Sequence, residues 1–288
     1  MHLSLGYDRT GRNFRLDALL FDFRKRHDAV KVAPLVVASI LSKKLALGIS
    51  IAGLDIRVTS EGNFGTTIDE ALENAELFCS VAELLDIKAT CFVTDGTKPY
   101  QPFIGRSEAL MALDLFFQGN AEDWLVNHIK LCHAMATSLK KSELLRSPSQ
   151  RELEQIFLDN IVRQGGSAEK SKELIERTGA AHTFEILAPK DGFLWINLSK
   201  LKLILKEKQE SQKGGGHSFP DPCGLILRRN SGDHIRRGDL LATARIEVPD
   251  PKSVIRQLES VFLVNDYANM QTLGNSVLTR SDTEDVKS

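Results

Sequence analysis

The hydrophobic pattern predicts two buried strands separated by one amphipathic helix in the first third of the chain. Residues 51–58 and 87–94 form short, mainly apolar runs, whereas residues 68–84 place apolar side chains three or four positions apart. Thr67 and Glu70 have the spacing of a capping box, which marks the start of that helix. A strand, a helix and a strand over this length predict a parallel βαβ unit.

Polar segments follow both predicted strands. They are residues 59–65 after the first strand and residues 95–99 after the second. Because ligands of parallel sheets bind beyond the carboxyl ends of the strands, we expect a small-molecule site at this edge.

A second helix is predicted over residues 33–47, directly before the first strand. Ser39 and Lys43 are four residues apart in it, so they lie on one face, one turn apart. Val37 and Leu41 lie on another part of the circumference and can pack against a core. A hydroxyl and an ammonium on one face form a candidate ligand-binding pair. The residues alone leave open the alternative that both side chains are simply solvated.

The pattern changes along the rest of the chain. Long helices dominate up to about residue 177, and from about residue 181 short strands alternate with glycine-containing turns. The predicted fold class is α/β: a largely parallel sheet flanked by helices, followed by a small α+β barrel-like C-terminal domain. The predicted domains are 1–180 and 181–262, with 263–288 as a disordered tail because it is polar and aperiodic.

Charge and cysteine content exclude several classes of function. The 288 residues include 37 Lys and Arg against 38 Asp and Glu, so a basic nucleic-acid-binding surface is not indicated. No apolar run is long enough for a membrane span, and we see no secretory signal. We expect a cytoplasmic protein with no metal site, because its cysteines lack metal-type spacing: Cys79, Cys91, Cys132 and Cys223.

Several motifs together resemble the thymidine and pyrimidine-nucleoside phosphorylase family. The run Ala-Ser-Ile-Leu-Ser-Lys-Lys at 38–44, followed by the strand at 51–58, is similar to that family's signature. The resemblance covers roughly residues 20–260 in the same order. Its further motifs are Phe-Val-Thr-Asp-Gly-Thr-Lys-Pro at 92–99, Ile-Gly-Arg-Ser-Glu-Ala-Leu at 104–110, a helix ending in Gln-Gly-Gly at 155–166, and the glycine turns at 231–243.

The resemblance implies a reaction and a set of site residues. Family members split a nucleoside, or a nucleoside monophosphate, with inorganic phosphate as co-substrate and without another cofactor. Ser39, Lys43 and Arg24 would bind the base, and Lys43 and Arg24 would stabilise the charge that develops on it. Arg24 lies fifteen residues before Ser39, which matches the short bacterial enzymes, and Arg26 is the alternative arginine. Since family members are dimeric, the resemblance also implies a homodimer.

Three interpretations of the function remain open from the sequence. The first is phosphorolysis of thymidine or a related pyrimidine nucleoside. The second is AMP phosphorolysis, since the Asp-Gly-x-x-Pro form at 95–99 is closest to the branch with long thymidine phosphorylases and AMP phosphorylases. The third is an N-terminally truncated, catalytically silent structural or interaction protein, because the family's helical domain and phosphate-binding segments precede the region that this chain resembles.

Overall fold

The computed structural model describes six stretches of the chain, which fold into two compact units. These stretches are 15–59, 62, 64–139, 148–212, 219–266 and 276–279. Described residues up to 97, together with 131–139 and 276–279, form the first unit, and the other described residues form the second. The domain boundary predicted at residue 180 stays a prediction. None of the helices in these stretches is long and apolar enough to cross a membrane.

The first unit combines helices with a three-stranded sheet. Its elements are α1 (Arg15–Arg26), α2 (Ala33–Ala46), β1 (Ile51–Val58), α3 (Ile68–Leu84), β2 (Lys88–Asp95) and β10 (Ser276–Thr279). β1 and β2 pair in parallel from Ile51 opposite Lys88 to Val58 opposite Asp95, which confirms the βαβ prediction. β10 pairs antiparallel with β2.

Local hydrogen bonds explain where α3 begins. The Thr67 side chain accepts a hydrogen bond from the Glu70 backbone N–H, as expected for a helix N-cap. The Glu70 carboxylate accepts bonds from the hydroxyl and the N–H of Thr66, at 2.6 and 2.7 Å, instead of closing the predicted box on Thr67. Those bonds hold the pKa of Glu70 below its usual value.

The second unit contains short strands and most of the remaining helices. Residues of α5 (Asp123–Ser138) fall in both units. The other elements are β3 (Phe103–Ile104), α4 (Arg106–Phe117), α6 (Gln150–Arg163), α7 (Ala168–Ala180), β4 (Thr183–Leu187), β5 (Gly192–Ile196), α8 (Leu198–Glu210), β6 (Cys223–Leu227), β7 (His234–Ile235), β8 (Leu240–Ile246), α9 (Pro251–Glu259) and β9 (Phe262–Asn265).

The strands of the second unit form two antiparallel sheets. Their orders are β3-β6-β8-β4 and β7-β5-β9, and their inward side chains share one buried core with α8 and α9. The fold class is therefore mixed α/β, as predicted in its general form. The largely parallel sheet is not seen: within the described stretches only β1 and β2 pair in parallel. In the second unit, every strand pair within the described stretches is antiparallel.

Strands also occur in the region predicted to be a disordered tail. β9 pairs with β5, with Phe262 opposite Ile196, and β10 pairs with β2. Pairing with distant strands places these two segments in sheets although they carry no strong local pattern. The disordered tail predicted over 263–288 stays a prediction. The rest of 263–288, apart from Asp266, lies outside the described residues.

Candidate functional site

The predicted pair of polar residues is formed on α2. Val37 and Leu41 are almost fully buried in the core of the first unit, and this fixes which face of the helix points outward. Ser39 and Lys43 are half-buried, and Lys43 Nζ donates a hydrogen bond to Ser39 Oγ at 3.3 Å. The structure therefore brings together the hydroxyl and the ammonium as the helical spacing predicts. Lys43 also lies in the last turn of α2, where a cation interacts favourably with the helix dipole.

Arg24 lies at the end of α1 and is only 8% exposed. Its Nε donates to the Ala29 carbonyl at 3.3 Å, and its Nη2 donates to the Val30 carbonyl at 2.6 Å. The alternative arginine, Arg26, is exposed and its Nε bonds the carbonyl of Asp22 in the preceding helical turn at 3.4 Å. The hydrogen bonds that the structure gives Arg24 are thus made to the backbone between α1 and α2.

The carboxyl ends of β1 and β2 lie side by side, as the parallel pairing requires. The N–H of Gly96 donates to the Val58 carbonyl at 2.9 Å and joins the two ends. Beyond them, Asp95 Oδ1 accepts bonds from the N–H and the hydroxyl of Thr97, at 2.9 and 2.6 Å. These bonds form a turn in residues 95–99, the second of the two polar segments expected at the ligand-binding edge of the sheet. In the first segment, Ser60, Glu61 and Asn63 lie outside the described residues.

A polar cluster on β1 and β2 was missed by the sequence analysis. Thr94 Oγ1 donates to Asp55 Oδ1 at 2.7 Å, and Arg57 Nε donates to Asp55 Oδ2 at 2.9 Å. The signal was present in the strand, where Asp55 and Arg57 alternate with the buried Ile56 and Val58. The strand β1 was expected to be buried on both faces. Charged side chains on one of these faces therefore indicate a polar cluster.

Cys132 on α5 belongs to the electrostatic surroundings of this cluster. Burial raises the pKa of the Cys132 thiol, while the charge of Arg57 acts in the opposite direction. A thiol with a raised pKa is a weak nucleophile at neutral pH.

No metal centre is indicated in the part of the chain that the structure describes, where no three His, Cys, Asp or Glu side chains are grouped as ligands. A cavity of about 440 Å³ lies in the second unit, at the end of α8 and the start of α9. Its charged side chains bond neighbouring groups: Lys208 to Glu207, Glu247 to Arg245, and Asp250 to the N–H of Ser253. These contacts are typical of structural groups.

Comparisons with known proteins identify two groups of relatives, which are AMP phosphorylases and pyrimidine-nucleoside phosphorylases. The chain is 30% identical over 236 residues to an AMP phosphorylase from Methanococcus vannielii, a match that covers 76% of this chain and 43% of the relative. It is 23% identical over 282 residues to a pyrimidine-nucleoside phosphorylase from Staphylococcus aureus, covering 91% of this chain and 63% of that relative. No family model matches the chain.

The chain spans about half the length of the curated relatives it matches. Both groups of relatives nevertheless align with most of this chain, and this agrees with the motif order observed in the sequence. These relatives support the thymidine and pyrimidine-nucleoside phosphorylase family as the one to which this chain is similar.

Proposed function

We propose that this protein takes part in the phosphorolysis of a nucleoside, with the Ser39–Lys43 pair on the leaving base. In this reaction the bond between the sugar C1′ and the base nitrogen breaks. A bond from C1′ to a phosphate oxygen forms, which gives the free base and a sugar 1-phosphate. Inorganic phosphate is the proposed co-substrate.

The contact between Lys43 Nζ and Ser39 Oγ, 3.3 Å long, is the observation that carries this proposal. As the bond to the sugar breaks, negative charge grows on the base. An ammonium and a hydroxyl that are held together before the reaction stabilise that charge without reorganising. The fixed helix α2 supplies this preorganisation, since its other face is buried against the core.

Two substrate classes are supported to the same degree. The pyrimidine nucleosides are favoured by a relative that aligns with 91% of this chain. AMP is favoured by a relative with the higher identity, 30%. We propose thymidine or a related pyrimidine nucleoside as the substrate, with AMP as the alternative.

The test is an assay of phosphate-dependent base release from thymidine, uridine and AMP. Three proteins are compared: the unmodified chain, Lys43→Ala, and Lys44→Ala as the matched control. Lys44 is the next lysine on the same helix, so its removal changes the charge of α2 equally. We expect activity in the unmodified protein and in the control, and its loss in Lys43→Ala with an unchanged melting curve. The same background in all three would overturn the proposal.

A further inference from the structure

Two cysteine sulfurs lie in contact inside the core of the first unit. Cys79 Sγ on α3 and Cys91 Sγ on β2 are 3.8 Å apart, and the two side chains are 5% and 0% exposed. Cys91 Sγ also contacts the Ala75 carbonyl, at the same distance of 3.8 Å. Since both cysteines are thiols in the structure, this core contains a dithiol whose sulfurs are adjacent.

Regular structure fixes the backbones that carry these two sulfurs. Cys91 lies in β2, the central strand of its sheet, opposite Leu54 of β1. On α3, fully buried alanines allow the helix to approach the sheet closely: Ala71, Ala75 and Ala82. The contact between the sulfurs therefore follows from the packing of α3 on β2.

The separation of the sulfurs is short enough for a covalent bond to form between them. A disulfide has its sulfurs about 2.05 Å apart, so each Sγ has to move by roughly 1 Å. A displacement of this size is within what side-chain rotation and a small approach of α3 provide.

The contact also distinguishes the two thiols chemically. The hydrogen bond with Cys79, burial, and the charge of Cys79 all raise the pKa of Cys91. Cys91 therefore keeps its proton, and its S–H stabilises a thiolate on Cys79, the more exposed of the two sulfurs. This arrangement favours a reaction in which Cys79 is oxidised first and Cys91 follows.

We propose that Cys79 and Cys91 form a redox modification site, at which hydrogen peroxide joins α3 to β2 through a reversible disulfide. The Cys79 sulfur attacks one peroxide oxygen, which gives Cys79 sulfenic acid and releases water. The Cys91 sulfur then attacks the sulfenic sulfur, so that the S–S bond forms and a second water leaves. Overall, two thiols lose two electrons and two protons, and hydrogen peroxide is reduced to two molecules of water.

The disulfide would join two elements that flank the expected ligand-binding edge of the sheet. β2 ends at this edge with Asp95, and α3 begins shortly after residues 59–65, the polar segment that follows β1. A bond between residues 79 and 91 limits how far α3 can open away from β2. We therefore expect oxidation to hold α3 more firmly in place.

Thiol labelling after peroxide treatment tests the site in the folded, full-length chain. The protein carries Cys132→Ser, which removes an exposed thiol, and is treated with hydrogen peroxide, denatured and alkylated. We expect Cys79 and Cys91 to lose the alkyl label together, to appear as a disulfide-linked peptide pair, and to regain the label after dithiothreitol. Cys223, which is 2% exposed, is the matched control for a buried thiol and should keep its label.

The same labelling experiment can overturn the proposal in several ways. If both cysteines keep their label at a peroxide concentration that oxidises Cys132 in the unmodified protein, the pair does not react. Loss of the label from Cys223 at the same rate would show that peroxide reaches an unfolded chain. Loss that dithiothreitol does not reverse would show sulfinic acid instead of a disulfide.

Hydrogen exchange then tests the link between α3 and β2. Amides of α3 should exchange about 10–100 times more slowly after oxidation, and dithiothreitol should restore the original rate. In Cys91→Ser, peroxide should leave this exchange unchanged, because no disulfide can form. Equal exchange in the reduced and the disulfide-containing protein would overturn the link. These tests use no nucleoside, so their outcome is independent of the proposed function.

Discussion

Arg245 Nε donates to Glu108 Oε1 at 2.7 Å, and the two side chains are only 4% and 2% exposed. Burial by itself lowers the pKa of Arg245, but the hydrogen bond and charge of Glu108, together with Glu247, raise the pKa above its ordinary value. Arg245 therefore keeps its charge inside the second unit, where its bond to Glu108 joins α4 to β8.

Removal of Glu108 should destabilise the protein strongly. Glu108→Ala removes a charged hydrogen-bond partner from the buried guanidinium of Arg245. Such losses cost about 3–5 kcal/mol of unfolding free energy. Urea unfolding measures the change. Glu210→Ala is the control, because it breaks the exposed pair with Lys206 and should cost less than about 1 kcal/mol. Similar losses in the two variants would contradict the structural role of the buried pair.

The same carboxylate explains the glycine at position 224. A Cβ at Gly224 would overlap the carboxyl group of Glu108, so Gly224→Ala should lower the free energy of unfolding by about 1–3 kcal/mol. The combined Gly224→Ala, Glu108→Ala variant should lose less than the sum of the two, since the overlap disappears. Gly179→Ala is the control: its added Cβ has only Met111 nearby, at 3.9 Å. If the losses of unfolding free energy in the two single variants simply add, the overlap with Glu108 is not the cause of the loss in Gly224→Ala.

Cys223 should make stability depend on pH in the alkaline range. Burial raises the pKa of its thiol from 9.0 to about 11, while the charge of Arg245 partly opposes this. Because the folded state keeps the proton longer, the contribution is complete below pH 9 and is lost as the pH rises to about 11. Two pKa units correspond to about 2–3 kcal/mol. The unfolding free energy of the unmodified protein should therefore fall relative to Cys223→Ala over this range, and parallel curves would contradict the assignment.

Features with a local sequence signal were predicted well. The periodic apolar stripe identified α3, and the helical spacing identified the contact between Ser39 and Lys43. The helix α1 was missed although Leu16, Leu19, Leu20 and Phe23 have the spacing of an amphipathic helix. In the structure, Leu19, Leu20 and Phe23 are all more than 40% exposed.

Features that depend on distant partners were not predictable. β9 and β10 are ordered by pairing with β5 and β2, which lie far away in the sequence. Glu108 and Arg245 are 137 residues apart, and Asp55 and Thr94 are 39 apart. A single sequence contains the side chains of such pairs but not the information that the fold brings them together.

The most direct test of the account is kcat/KM for phosphorolysis in Lys43→Ala relative to Lys44→Ala. Removing a preorganised charged donor from a developing negative charge costs about 10²–10³ in rate, so this loss is expected for Lys43→Ala alone. Lys44→Ala should stay close to the unmodified protein, because its ammonium is not bonded to Ser39. Equal rates in the two variants would contradict the assignment of the Ser39–Lys43 pair to the leaving base.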